Sequence, residues 1–236
     1  MAEARTTALD LVVGEVIESV FDTVEDILRE ALHRHRRHGA AGGLTEDDVR
    51  AMVPGLHARL REPGQLAVGM GLILEPGLLP SQPLCLEWWQ QAAGSEEPVR
   101  LEVDLHPDSL DFYDYAATDW FAIPRRTHRR HVVGPYVDVH GTDRYLLTLT
   151  MPIEADGVFL GVAGADVPLT RFESVVLGCL GSAVEAVLTN GEGRVVLSTS
   201  SRWITGSLVS RDERRRSRSL PNLPWAIYEP VGSSPD

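Results

Sequence analysis

Residues 7–38 place Leu9, Val13, Val16, Ile17, Val20, Val24, Ile27, Leu28 and Ala31 at three- and four-residue spacing. That spacing collects them on one face of a single long helix. A stripe of this length must be covered, and a sheet from the same chain is the simplest cover. The helix ends in a basic run, His33, Arg34, His35, Arg36, Arg37 and His38. Positive charge there complements the helix dipole, and Gly39 is a fitting stop. His35 and His38 could meet on one face, but the solvated helix end is the preferred reading and no metal site is expected.

Residues 39–43 (Gly-Ala-Ala-Gly-Gly) form a break. Thr45 and Asp48 then make a capping box with Asp in place of the usual Glu. The helix they open should kink or end at Pro54-Gly55, with a second piece reaching Arg61. Pro63-Gly64 closes the helical part.

Beyond it the period changes from helix to strand. Residues 66–74 and 84–91 read as strands, and Val99, Leu101, Val103 and Leu105 alternate with polar residues as in a half-buried strand. Residues 109–121 suggest a short helix or turn, ended by Pro124. Residues 144–153 and 157–166 are two strands joined by a tight turn, and residues 168–180 a helix. Asn190-Gly191 marks a hairpin between 183–189 and 194–199. Residues 211–218 read as a polar loop and 224–228 as a last strand. The expectation is an α+β chain: a long N-terminal helix packed on one central antiparallel β-sheet. Its divisions are a helical part over 1–62, a sheet-bearing domain over 63–230 and a disordered tail over 231–236.

With 34 acidic and 22 basic residues the net charge is −12, which argues against a general nucleic-acid binder and suits a cationic ligand. Two cysteines, Cys85 and Cys179, exclude a disulfide scaffold. No run reaches the roughly 20 apolar residues of a membrane span. Asp10, Glu15, Glu18 and Asp22 interrupt the N-terminal apolar stretch, so the expected location is cytoplasmic. Signatures of a nucleophile elbow, a phosphate loop and a zinc protease are absent. Gly69-Met70-Gly71 begins a dinucleotide-like pattern, but Leu74 replaces its third glycine. No cofactor is expected.

The chemistry concentrates in 112–138, which hold six of the fifteen aromatic residues among Asp114, Asp119 and Asp138. Aromatic faces beside carboxylates suit a small cation, because the ring quadrupole attracts charge and the carboxylate accepts ammonium hydrogen bonds. An ordinary core is the alternative reading. Trp88 and Trp89 are neighbours in a strand and so point to opposite faces. The basic runs Arg125–His131 and Arg214–Arg218 read as solvated loops.

Trp120-Phe121, Gly134-Pro135-Tyr136-Val137-Asp138, the strand Tyr145–Ile153 and the run Gly157–Asp166 follow one another in an order that resembles the Cache family of PAS-like ligand sensors. The resemblance covers about 84–230 and comes close to the double-Cache type that binds amines or amino acids, here with a single sensing module. It implies a non-enzymatic small-molecule sensor. Mapped onto the motif of amino-acid-sensing members, the ligand-binding residues are Tyr113, Trp120, Phe121, Tyr136, Asp138 and Asp166. The arginine that would hold a ligand carboxylate is replaced by Thr118. The amine-holding half is kept, which implies a cationic amine without a carboxylate. The alternative is an amino acid anchored by Arg125 or Arg126. An enzyme using Asp138 and Asp166 as acid and base is a further alternative, which no nucleophile or cofactor motif supports. Expected partners are the ligand, a signalling or transcription-regulator protein, and a second copy docked through the long helix.

Overall fold

The computed structural model describes residues 2–38, 43–92, 94–95, 97–137, 145–180, 186–215, 217–220 and 223–228. Helix α1 spans Ala2–Arg37 and α2 Glu46–Leu60. Six strands follow: β1 (Gly69–Leu74), β2 (Leu86–Gln90), β3 (Val99–Arg100), β4 (His131–Val137), β5 (Tyr145–Ala155) and β6 (Val158–Pro168). A 3-10 turn (Tyr115–Ala117) and α3 (Asp119–Thr127) lie between β3 and β4. These strands form one antiparallel sheet in the order β3-β2-β1-β6-β5-β4. After α4 (Leu169–Leu180) come β7 (Val187–Asn190), β8 (Val195–Ser198), α5 (Arg211–Arg215), β9 (Arg218–Ser219) and β10 (Trp225–Tyr228). The late strands make a second sheet in the order β8-β7-β10-β9.

The apolar stripe of α1 does what its spacing predicts. Leu9, Val13, Ile17, Val20, Val24, Ile27 and Ala31 are buried in one core with residues of α2, α4 and both sheets. That face is therefore occupied within the chain. The β5–β6 turn, Asp156-Gly157, has both residues at positive φ (51° and 78°), the geometry that matches strand twist in a two-residue hairpin.

Several expectations are corrected. One sheet becomes two: hairpin signals fix which neighbours pair, but not where a sheet ends. Here α4 separates the sets, and the β7–β8 turn meets the first sheet where Asn190 Nδ2 donates to Gly134 O (3.0 Å). The alternating segment 99–105 is a strand only at Val99–Arg100. Leu101, Val103 and Leu105 still pack inward, but against the cluster around Trp88. Helix α2 does not end at Pro54 but continues through it to Leu60. Pro54 is exposed, so the Arg50 carbonyl it leaves unbonded meets water, while buried Met52, Leu56 and Leu60 hold both halves of the helix on the core. The segment 211–218 contains α5 and β9 rather than only loop. The expected break at 39–42 and the tail at 231–236 lie outside the described residues.

The capping box is complete: Asp48 N donates to Thr45 Oγ1 (3.2 Å), and Thr45 N donates to Asp48 Oδ2 (3.0 Å). His38 Nε2, at the end of α1, lies 2.8 Å from the same oxygen. Burial pushes the Asp48 carboxyl up, but the bonds from Thr45 and His38 outweigh it and hold it below the usual aspartate range. A carboxylate with a depressed folded value stabilises fully above its unfolded value, roughly pH 4. That contribution disappears as pH falls through the folded value. Wild type should therefore lose stability below about pH 4 more steeply than Asp48→Asn, as read by thermal melts across pH. Parallel curves would refute the contribution.

Candidate functional site

A small pocket opens between α3 and the face of the first sheet remote from α1. Its wall includes Trp88, Tyr113, Trp120, Tyr136, Thr148 and Asp166. Four of the six residues expected to hold ligand, Tyr113, Trp120, Tyr136 and Asp166, thus converge. Asp138 lies outside the described residues. Phe121 does not line the pocket. It is fully buried behind Trp120, edge-on to Tyr115 (5.3 Å between centroids) and Phe159 (5.5 Å). The reason is helical: adjacent residues on α3 point about 100° apart, so only one can face the site while the other enters the core.

Asp166 sits at the centre of a hydrogen-bonded row. Trp88 Nε1 donates to its Oδ2 (3.1 Å) and Thr148 Oγ1 donates to its Oδ1 (2.6 Å). The Tyr136 hydroxyl lies 2.7 Å from Thr148 Oγ1. The register dictates this. Thr148 on β5 stands directly opposite Asp166 on β6, which stands opposite Gly69 on β1. Tyr136 follows an irregularity in β4 between Val133 and Tyr136, built on Gly134 at φ +120°. A side chain at Gly134 would have its Cβ 2.6 Å from Leu146 O.

Trp88 was half-read from the sequence, and its floor was missed. A Cβ at Gly69 would lie 2.9 Å from Trp88 Nε1, and one at Gly164 3.1 Å from its Cη2. The indole therefore lies across β1 and β6 on a surface that only glycines leave free. Gly69-Met70-Gly71, set aside as a broken dinucleotide motif, supplies part of that surface. The available signal was glycine inside a strand, which marks close approach of another group. Trp89, on the other face, packs edge-on against His57 of α2 (4.2 Å).

Trp120 is held by a further device. Helix α3 does not end at Pro124 but continues to Thr127, where His128 caps it in the left-handed region. Pro124 has no N–H to return to the Trp120 carbonyl, and Thr150 Oγ1 from β5 donates to that carbonyl instead (2.8 Å). Thr150→Val should leave the carbonyl buried and unbonded, at a cost of about 1–3 kcal/mol in urea denaturation. A variant as stable as wild type would show that water or helix movement replaces the bond.

Thr118, at the position of the missing arginine, is the N-cap residue of α3, but its hydroxyl donates back to Tyr115 O of the 3-10 turn (2.6 Å) and not to the helix. Arg125 is paired with Glu75 and does not line the pocket, and neither does Arg126. Tyr115, beneath the site, anchors the 3-10 turn to β1 by donating to Leu74 O (2.9 Å), and burial pushes its hydroxyl up to about 12. Among the described residues no group of three or more His, Cys, Asp or Glu is placed to hold a metal ion.

A long helix packed on a six-stranded antiparallel sheet gives this chain a PAS-like α+β fold, with a polar-centred aromatic pocket beneath a short helix. The comparisons name the particular relatives. Residues 67–174 match the family model of the methyl-accepting chemotaxis protein-like first PDC sensor domain. The methyl-accepting chemotaxis protein TlpQ of Pseudomonas aeruginosa is 29% identical over 92 residues, which are 38% of this chain and 13% of that receptor. The match thus spans a small part of the curated relative's length. Among solved structures, methyl-accepting chemotaxis protein X superposes with a TM-score of 0.67 at 13% identity, over 96% of this chain and 95% of its own. The ligand-binding domain of Campylobacter jejuni chemoreceptor Tlp3, in complex with L-valine, gives 0.61 at 16% identity, over 96% and 90%. Both resemble the fold of this chain over nearly its whole length.

Proposed function

We propose that this chain is a non-enzymatic sensor domain that binds a small cationic amine in the pocket between α3 and the first sheet. One observation carries the reading: the pocket wall contains the Asp166 carboxylate among Trp88, Tyr113, Trp120 and Tyr136 and, among the described residues, no arginine. A carboxylate accepts ammonium hydrogen bonds, and aromatic faces surround the apolar body of such a ligand. Thr118 in place of an arginine supports an amine lacking a carboxylate. Ligand-induced change would pass to a signalling or transcription-regulator partner.

The pocket holds about 30 Å³, enough for a water or two but not for an organic ligand. Binding therefore requires a wall to move. The sheet side is fixed by strand ladders. Leu101 N still donates to Trp88 O of β2 (2.8 Å), whereas Tyr113 lies further along the segment after β3, where its N donates to Asp104 O (2.7 Å).

A second reading, an amino acid, is favoured by the Tlp3 domain having been solved with L-valine. Here it would need Arg125 to leave Glu75. Mass spectrometry of small molecules released from the purified protein, followed by a melting screen of amines and amino acids, separates the two. A shift with amines alone supports the proposal. A response confined to compounds that also carry a carboxylate would replace it, and no response from either class would end both.

A further inference from the structure

Strand β2 alternates, and its reverse face bears a second hollow. Trp88 faces the aromatic pocket, whereas Glu87 and Trp89 line a groove against α2. The groove measures about 500 Å³, within the roughly 300–1,000 Å³ typical of small-molecule sites. Val49, Val53 and Pro54 of α2 give it an apolar side, and Trp89 supplies an aromatic one.

Its polar groups are unevenly satisfied. Glu87 is only 8% exposed, and both of its oxygens are taken, by Trp89 Nε1 (2.7 Å) and Arg100 Nη2 (2.9 Å). Arg100 directs only Nη2 to protein; among the described residues its Nε and Nη1 have no acceptor, and its side chain is half exposed. Arg50 likewise uses one nitrogen, Nη1, on Asp47 (2.7 Å). The Cys85 thiol in the wall is neutral, because burial pushes it up to about 12. Glu46 accepts from Ser81 through one oxygen and keeps the other. Donors in fork geometry thus outnumber open acceptors, in a chain whose net charge is −12.

We infer that the groove between α2 and the reverse face of β2 is a second binding site, for a small carboxylate with an apolar body. The carboxylate bonds the open edges of Arg100 and Arg50, the apolar body lies against Trp89 and α2, and the second Glu46 oxygen can accept from a donor group on the ligand. This site is on the opposite sheet face from the amine pocket and does not depend on what that pocket binds.

The two tryptophans supply the test. In nitrogen-15 spectra of the whole chain, the indole N–H resonances of Trp88 and Trp89, assigned with Trp88→Phe and Trp89→Phe, report the pocket and the groove separately. Phenylacetate should shift the Trp89 resonance saturably and leave Trp88 unmoved. L-Phenylalanine should act similarly, and more strongly where its ammonium uses Glu46. Phenethylamine, which lacks the carboxylate, should leave Trp89 in place. Arg50→Gln should weaken phenylacetate about tenfold, the loss of roughly one charged hydrogen bond. Arg100→Gln should abolish binding, but it leaves Glu87 buried without its cation and can unfold the chain, so Arg50→Gln decides the matter. A Trp89 resonance that ignores phenylacetate, that responds equally to phenethylamine, or that titrates unchanged in Arg50→Gln overturns the proposal.

Discussion

A cationic amine at about 100 times its dissociation constant should stabilise this chain by roughly 2.7 kcal/mol and raise its melting midpoint by about 5–10 °C. Asp166→Asn should remove most of that shift while leaving the unliganded fold intact. The local bonding explains why the variant isolates charge. Asp166 accepts from Trp88 Nε1 through one oxygen and from Thr148 Oγ1 through the other. An amide can keep its oxygen towards Trp88 and turn its nitrogen towards Thr148. The Thr148 hydroxyl then reverses, accepting from the amide and donating to the Tyr136 hydroxyl 2.7 Å away. These bonds to Trp88, Thr148 and Tyr136 can all be kept while the negative charge is lost. Differential scanning fluorimetry of both proteins with the same amine reads the result. Equal shifts in wild type and variant would mean that the amine binds elsewhere or without Asp166. An unliganded Asp166→Asn that melts several degrees lower would mean that the row cannot reverse as described.

How much of this was legible in the sequence depends on whether a feature is periodic or a meeting of distant strands. The α1 stripe is periodic, and nearly every residue read from it is buried. The capping box and the short turn expected at Ala155–Gly157 are local chemistry, and both appear, the turn centred on Asp156-Gly157. The proline effects were misjudged, because whether Pro54 or Pro124 ends a helix depends on what meets the freed carbonyl. At Pro54 it is solvent, and at Pro124 it is Thr150 from another strand. The alternation at 99–105 holds as burial only from Leu101 onward, since Val99 is exposed, and pairing ends because the segment leaves β2 after Leu101, whose N donates to Trp88 O. In the site, the resemblance to known sensors brought Tyr113, Trp120, Tyr136 and Asp166 to one place. It could not separate Trp120 from Phe121, because both are large and apolar and only the seating of α3 chooses between them. Thr148 and the glycine floor were invisible, for they acquire meaning only from the cross-strand register.

That floor leads to the largest expected effect of a single methyl group. Gly71→Ala should destabilise the chain by about 3 kcal/mol or more, the upper end of overpacking costs. The new Cβ would lie 2.0 Å from Glu87 O and 2.9 Å from Trp88 Cα, both backbone atoms of β2. No rotamer change relieves such a contact, so β1 and β2 must part where Gly71 stands opposite Trp88. The strand cannot retreat on its other side, since a Cβ at Gly161 of β6 would likewise lie 2.2 Å from Ile73 O. At about 2–4 °C per kcal/mol, the midpoint should fall by roughly 6–12 °C. Gly14→Ala is the matched control. Gly14 lies within α1 with nothing within 4 Å of its Cβ position, so the same methyl should stabilise by about 0.5–1 kcal/mol. Parting β1 from β2 also moves the Trp88 backbone, so Gly71→Ala should lose the amine shift even at temperatures where it remains folded. Circular dichroism melts of the two variants give the sign of each effect. A Gly71→Ala protein that melts like wild type and still answers to ligand would show that the close approach of β1 and β2 is not what positions Trp88.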